Sequence, residues 1–151
     1  MEPGTTVAIV GDVYTCLAGG AETDGAYLLC EARVLPGGGP PPHVHHREDE
    51  AFYVLEGEIT FTTEGRAVPA GPGTFLHLPK GRPHTFRNTG ETPARMLVWA
   101  LPAGLEHFFA EVGQPLSGPD QPAPPVTPPD IDRLLAAAPR YGPEILPPPA
   151  A

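Results

Sequence analysis

Three histidines fall within four positions, His43, His45 and His46, and an acidic cluster, Glu48, Asp49 and Glu50, follows at once. Imidazole nitrogens and carboxylate oxygens are the donors that hold divalent transition metals, and the same groups also crowd solvated loops. Strand periodicity limits which of them can converge. Side chains of an extended chain repeat every two residues, so His43 and His45 share a face. Glu50 has the opposite parity, and a turn or bulge in "HREDE" must re-aim it inward. Further on, "GTFLHLPKGRPHTFRN" places His84 at the start of another strand, just after a Pro-Lys-Gly turn. Three neutral imidazoles and one carboxylate inside a barrel still leave coordination positions open, an arrangement suited to a catalytic divalent ion. Glu50 has two compatible roles, metal ligand or base for an enol or hydroxyl proton.

The elements that position these groups read as β-strands. The runs "TVAIV", "VYTCLA", "AYLLCEARVL", "EAFYVLEG", "EITFTTEG", "GTFLHLP", "HTFRN" and "ARMLVWAL" are separated by Gly, Pro or Asn-Thr-Gly turns, as in a sandwich or barrel. One face of "AYLLCEARVL" carries Ala26, Leu28, Cys30, Ala32 and Val34 and the other Glu31 and Arg33, so that strand is half-buried. "MLVWAL" is apolar on both faces and predicts a strand covered on both sides. With Glu50 inward, Phe52 and Val54 also face in. Ile59, Phe61, Phe75 and Phe86 complete an apolar lining suited to a ring. His77 reads as a core or lining residue, Tyr53 and Trp99 point outward, and His46, Glu48 and Asp49 read as a solvated loop around Arg47. The β-barrel is assigned to residues 1–102.

After Pro102 the period changes. Leu105, Phe108, Phe109 and Val112, with Glu106 and Glu111 opposite, predict a short amphipathic helix packed on the barrel over 103–113. Residues 114–129 read as a Pro-rich connector, stiff and extended. Residues 130–151 are assigned to a C-terminal helix and tail, with Thr127 as N-cap and an apolar stripe of Ile131, Leu134, Leu135 and Ala138. So short a helix is marginal alone in water, and segment 131–151 is expected to dock on the barrel.

Composition excludes several classes. The chain has 151 residues, Gly 18 and Pro 23, and twelve of the prolines lie from Pro115 onward. A net charge of −9, with only 9 Lys and Arg, leaves no basic patch for nucleic acid or for an anionic membrane surface. No run is long enough to span a bilayer, "TTVAIVG" lacks the flanks of a signal peptide, and a cytoplasmic location is expected. Cys16 and Cys30 read as reduced thiols packing as small hydrophobes.

The two histidine stretches resemble the two motifs of the cupin superfamily. "GGGPPPHVHHREDEAFYVLEG" fits G-x5-H-x-H-x4-E-x6-G at Gly37, His43, His45, Glu50 and Gly57. "GTFLHLPKGRPHTFRN" fits G-x5-P-x-G-x2-H-x3-N at Gly73, Pro79, Gly81, His84 and Asn88. The wider texture is similar to single-domain, quercetin 2,3-dioxygenase-like cupins. That resemblance implies an all-β double-stranded β-helix (jelly-roll) barrel. It implies one divalent transition metal per chain (Fe, Mn, Ni, Co, Cu or Zn, with Fe(II) the first expectation) on His43, His45, Glu50 and His84. It also implies a homodimer. The function expected is a metal-dependent oxygenase of a small aromatic or enolisable substrate, with dioxygen as co-substrate. The alternatives are an isomerase, cyclase or decarboxylase using the same metal, or a ligand-binding cupin without turnover.

Overall fold

Short β-branched and aromatic runs punctuated by glycine and proline make strands, and the computed structural model, which describes residues 1–147, contains twelve of them and three helices. In chain order they are β1 (Thr6–Ile9), β2 (Asp12–Ala18), α1 (Gly20–Thr23), β3 (Leu28–Val34), β4 (His43–His45) and β5 (Asp49–Glu56). Then come β6 (Ile59–Thr63), β7 (Arg66–Ala70), β8 (Phe75–Leu78), β9 (His84–Asn88) and β10 (Ala94–Leu101). The chain continues through α2 (Leu105–Val112), β11 (Gln114–Leu116), α3 (Pro128–Tyr141) and β12 (Pro143–Ile145). Seven strands form one sheet in the order β11-β1-β2-β3-β10-β5-β8 and five form the other, β12-β4-β9-β6-β7, with every pair antiparallel. This is the jelly-roll fold.

The inward-facing residues of the two sheets make the core, where Cys16, Cys30, Val34, Val54, Ile59, Phe61 and Met96 are all fully buried. β3 alternates as its sequence predicts, with Leu28, Cys30, Ala32 and Val34 inside. Cys16 and Cys30 stand opposite each other on β2 and β3 as free thiols. β10 buries Ala94, Met96, Val98 and Ala100 on its inner face, while Leu97 and Trp99 on its other face are half-buried.

Two segments read as connector and tail contain strands, and so does 66–70, which none of the strand-like runs covered. β7 escapes the strand pattern because Arg66 and Pro69 interrupt it, yet it pairs with β6 along its whole length. β11 lies in the Pro-rich connector and pairs with β1, and β12 pairs with the histidine-bearing β4. The sheets therefore draw on residues beyond 102. α3 begins at a capping box in which Asp130 accepts from the Thr127 backbone N–H at 2.8 Å, and it ends at Gly142 in the left-handed region. Its buried face is Leu134, Ala137 and Ala138, so Leu134 and Ala138 of the stripe read from sequence face inward, while Ile131 is half-buried and Leu135 is 48% exposed. Residues 148–151 of the expected docking segment lie outside the described residues. Glu106, read as a solvent-facing residue, is buried: it accepts from the Gly20 and Gly104 backbone N–H groups, each at 2.6 Å, and so ties α2 to α1.

Candidate metal centre

β4 and β9 are neighbours in the smaller sheet, with His43 directly opposite His84. β5 belongs to the larger sheet, where Glu50 pairs with Ala100 and Leu78. The parity problem of the sequence is solved here: residues 46–48 carry the chain from one sheet to the other, so a carboxylate of opposite parity still faces the histidines. Gly39 makes the approach possible. Its φ is 145°, and a Cβ there would lie 1.9 Å from the Phe86 carbonyl oxygen, so only glycine lets this segment run against β9. Backbone bonds from Gly37 to Asn88 and from Asn88 to Gly38, both 2.9 Å, fix that path just before His43. Asn88 locks the far end of β9, donating to the Val34 and Thr92 carbonyls at 2.8 Å each.

His43, His45, Glu50 and His84 offer one ligand atom each, all within 4.8 Å of one another. Glu50 Oε1 lies 3.0 Å from His45 Nε2 and 2.9 Å from His84 Nε2. His45, Glu50 and His84 are buried, while His43 is partly open. His43 Nδ1 faces the Pro41 carbonyl at 2.8 Å and His84 Nδ1 faces the Arg82 carbonyl at 3.3 Å. A carbonyl can only accept, so each Nδ1 carries the proton and each Nε2 presents its lone pair to the cluster. Two buried imidazole nitrogens meeting one carboxylate oxygen call for positive charge between them. Donor set and tautomers both fit a divalent transition metal on these four residues.

The electrostatics of the cluster are set by burial and by the charges within it. Burial pushes Glu50 up, but His45 and then His84 outweigh it and hold its carboxyl well below the usual carboxylate range. Burial also pushes His45 down, and the charge of Glu50 more than reverses this. His43 is lowered to about 4 by burial and then by the other two imidazoles, so it stands neutral, as a ligand must.

Beside the cluster lies a cavity with about 80 Å³ open to the centre of a water-sized sphere, reaching His43, His45 and Glu50. Of the residues expected to line a pocket, Phe52 and Phe86 do so. Val54, Ile59 and Phe61 face inward but sit deeper, in the closed core. Phe75 and His77 are corrected: both point outward, Phe75 with 60% of its surface exposed. β8 pairs Leu76 with Phe52 and Leu78 with Glu50, so its even-numbered residues are the inner ones. Glu48, read as solvated, is buried with one carboxylate oxygen unpartnered, and burial raises its pKa. His46 is exposed and meets Glu144 at 2.9 Å, while Asp49 accepts from the Lys80 backbone N–H at 2.9 Å. The remaining cavity wall was not anticipated. It includes Asp12 and Tyr14 on β2, Val98 on β10, Leu105, Phe108 and Phe109 on α2, and Leu134 on α3. The apolar stripe of α2 was a visible signal, but nothing in it indicated that it covers a site.

Residues 30–100 match the cupin domain family, and this stretch of the chain is a cupin domain. It is 31% identical over 111 residues to the quercetin 2,3-dioxygenase of Bacillus subtilis, covering 73% of this chain and 33% of that protein. To the oxalate-binding protein of Thermotoga maritima it is 33% identical over 73 residues, 48% of this chain and 60% of that one. The chain thus spans about a third and three fifths of these two relatives. A solved structure described as a predicted oxalate decarboxylase, also from Thermotoga maritima, superposes with a TM-score of 0.60. It shares 25% identity, over 67% of this chain and 94% of that one. The group of three histidines and one glutamate is typical of cupin metal binding. Among the described residues, no helix is long and apolar enough to cross a membrane.

Proposed function

We propose that this cupin is a metal-dependent oxygenase acting on a small, neutral aromatic or enolisable compound. The observation that carries the reading is the character of the cavity beside the histidine–glutamate cluster. Phe52, Phe86, Phe108, Phe109, Val98 and Leu134 build an apolar wall, and among the described residues no lysine or arginine lines it. Its other carboxyl besides Glu50 is that of Asp12. Oxalate or a sugar phosphate would meet anion-binding charge only at the metal centre and none along the rest of the wall, whereas an aromatic ring buries apolar surface along all of it. This favours a quercetin dioxygenase-like chemistry over an oxalate-like one for this chain.

In that role His43, His45, Glu50 and His84 would hold one divalent transition metal, with Fe(II) the first candidate. A bound ion of this kind supplies Lewis acidity and redox capacity beside the cavity. The protein's own part is to exclude water with the phenylalanine wall and to orient the ring with its oxygen toward the cluster. Glu50, the carboxylate facing both the cluster and the cavity, would accept the proton of the substrate hydroxyl or enol.

The test is oxygen uptake by metal-loaded protein with a panel of phenols and enolisable ketones, run in air and under nitrogen. Oxygen consumption that tracks metal content is the expected result. Turnover under nitrogen would instead mark an isomerase, cyclase or decarboxylase, and binding without turnover a ligand-binding cupin.

A further inference from the structure

β1 and β2 form a hairpin whose turn residues, Val10 and Gly11, have φ values of 47° and 89°. The strand that leaves this turn spends its first inward positions on Asp12 and Tyr14. Asp12 is only 2% exposed and Tyr14 8%, and both line the cavity that reaches the histidine–glutamate cluster. Among the described residues, neither the Asp12 carboxyl nor the Tyr14 hydroxyl has a hydrogen-bond partner or an opposite charge facing it. Buried polar groups in folded proteins are almost always paired, and leaving one unpaired is strongly unfavourable. An inward carboxyl on an otherwise apolar wall is therefore a place where something outside the chain completes the bonding.

We propose that Asp12, with the Tyr14 hydroxyl beside it, is a second polar contact of the cavity that hydrogen-bonds a neutral oxygen of the ligand, a hydroxyl or carbonyl, while another oxygen of the same ligand sits at the histidine–glutamate cluster. The ligand class this selects is a small ring compound with two oxygen functions. The inference rests on the reading of the cavity as a ligand site, and deepens it by naming what the far contact recognises. Burial raises the Asp12 carboxyl to about 7, so at neutral pH a large fraction is protonated and can donate as well as accept. A second anion is disfavoured as ligand at that position, and a neutral hydroxyl or carbonyl is favoured.

Phenol, resorcinol and hydroquinone serve as probes, titrated calorimetrically into the metal-loaded full chain. A dihydroxybenzene should bind wild type about three- to tenfold more tightly than phenol, the worth of one neutral hydrogen bond. Asp12→Ala should erase that advantage, so that phenol and the dihydroxybenzenes bind the variant equally. Asp12→Asn, which keeps the shape and a donor, should retain most of it. Dihydroxybenzenes binding no more tightly than phenol to wild type, as when water alone serves Asp12, would overturn the proposal. So would an advantage that survives in Asp12→Ala. Failure of oxygen uptake would sink the oxygenase reading alone, since this affinity difference does not depend on turnover.

Discussion

The stretch 30–100 and its flanks divide the work of the cavity. All four groups of the metal centre, His43, His45, Glu50 and His84, lie within the stretch that matches the cupin domain. Most of the wall that a ligand would touch lies outside it: Asp12 and Tyr14 come from the N-terminal hairpin, Leu105, Phe108 and Phe109 from α2, and Leu134 from α3. The difference teaches where to look for each property. Metal chemistry belongs to positions held by fixed motif spacing, and ligand choice to elements that pack over the mouth without any motif. Proteins similar to this chain carry names as different as quercetin 2,3-dioxygenase and oxalate-binding protein, so one fold hosts more than one ligand.

The sharpest way to break this division is within the motif stretch. His84→Ala removes one of the four donors and leaves the buried Glu50 with one imidazole partner fewer. Stoichiometric metal should be lost by elemental analysis while the far-ultraviolet circular dichroism stays that of the folded chain. Unchanged metal content would refute the ligand assignment.

A chain ended at Gln121 probes the flank next. It loses α3 and β12, and with them the burial of Leu134, Ala137 and Ala138 and the pairing of β12 along β4. Leu134 alone is worth about 1.5–3 kcal/mol. With the strand pairing added, urea unfolding should show a stability lower by about 3 kcal/mol or more. The four metal ligands all remain, so one metal per chain should still bind. Equal stability would show that the tail does not support the barrel, and lost metal would show that the division between the two regions is false.

The smallest effect concerns Asp12 and pH. Its carboxyl rises from the ordinary 3.8 to about 7 through burial, so the folded chain keeps a proton that the unfolded chain releases between those values. This contribution to stability is whole below about pH 4 and is lost as pH climbs through about 7. Asp12→Asn cannot ionise and should not share the slope. Between pH 4 and pH 8 its stability should gain on that of wild type by on the order of 3 kcal/mol or less. Tyr14 beside it and the histidine–glutamate cluster on the same cavity are common to both proteins and cancel in the comparison. Parallel stability profiles would show that Asp12 ionises as freely in the folded chain as in the unfolded one.

The metal centre was legible because its chemistry demands particular residue types at particular spacings, and His43, His45, Glu50 and His84 satisfy them in two short stretches. The strand character of β3 and the helical face of α2 were legible through simple periodicity. Other features depend on register across the sheet, which one strand's sequence does not contain. Phe75 and Leu76 are both apolar, and only pairing with β5 decides that Leu76 is the inner one. β7 and β12 carry proline and charge, and they become strands because a neighbour offers them hydrogen bonds. Asp12 gave no signal, since a lone aspartate after a glycine reads as turn chemistry until its burial is seen.

Resorcinol titrated into metal-loaded Leu134→Phe and wild-type protein, with metal per chain measured on the same samples, tests the division most directly. The larger side chain fills the flank-built wall without touching any of the four ligands. The account predicts one metal per chain in both proteins and a resorcinol affinity at least about tenfold weaker in the variant, the loss expected for about 1.4 kcal/mol. Equal affinity, or metal lost together with the ligand, would contradict it.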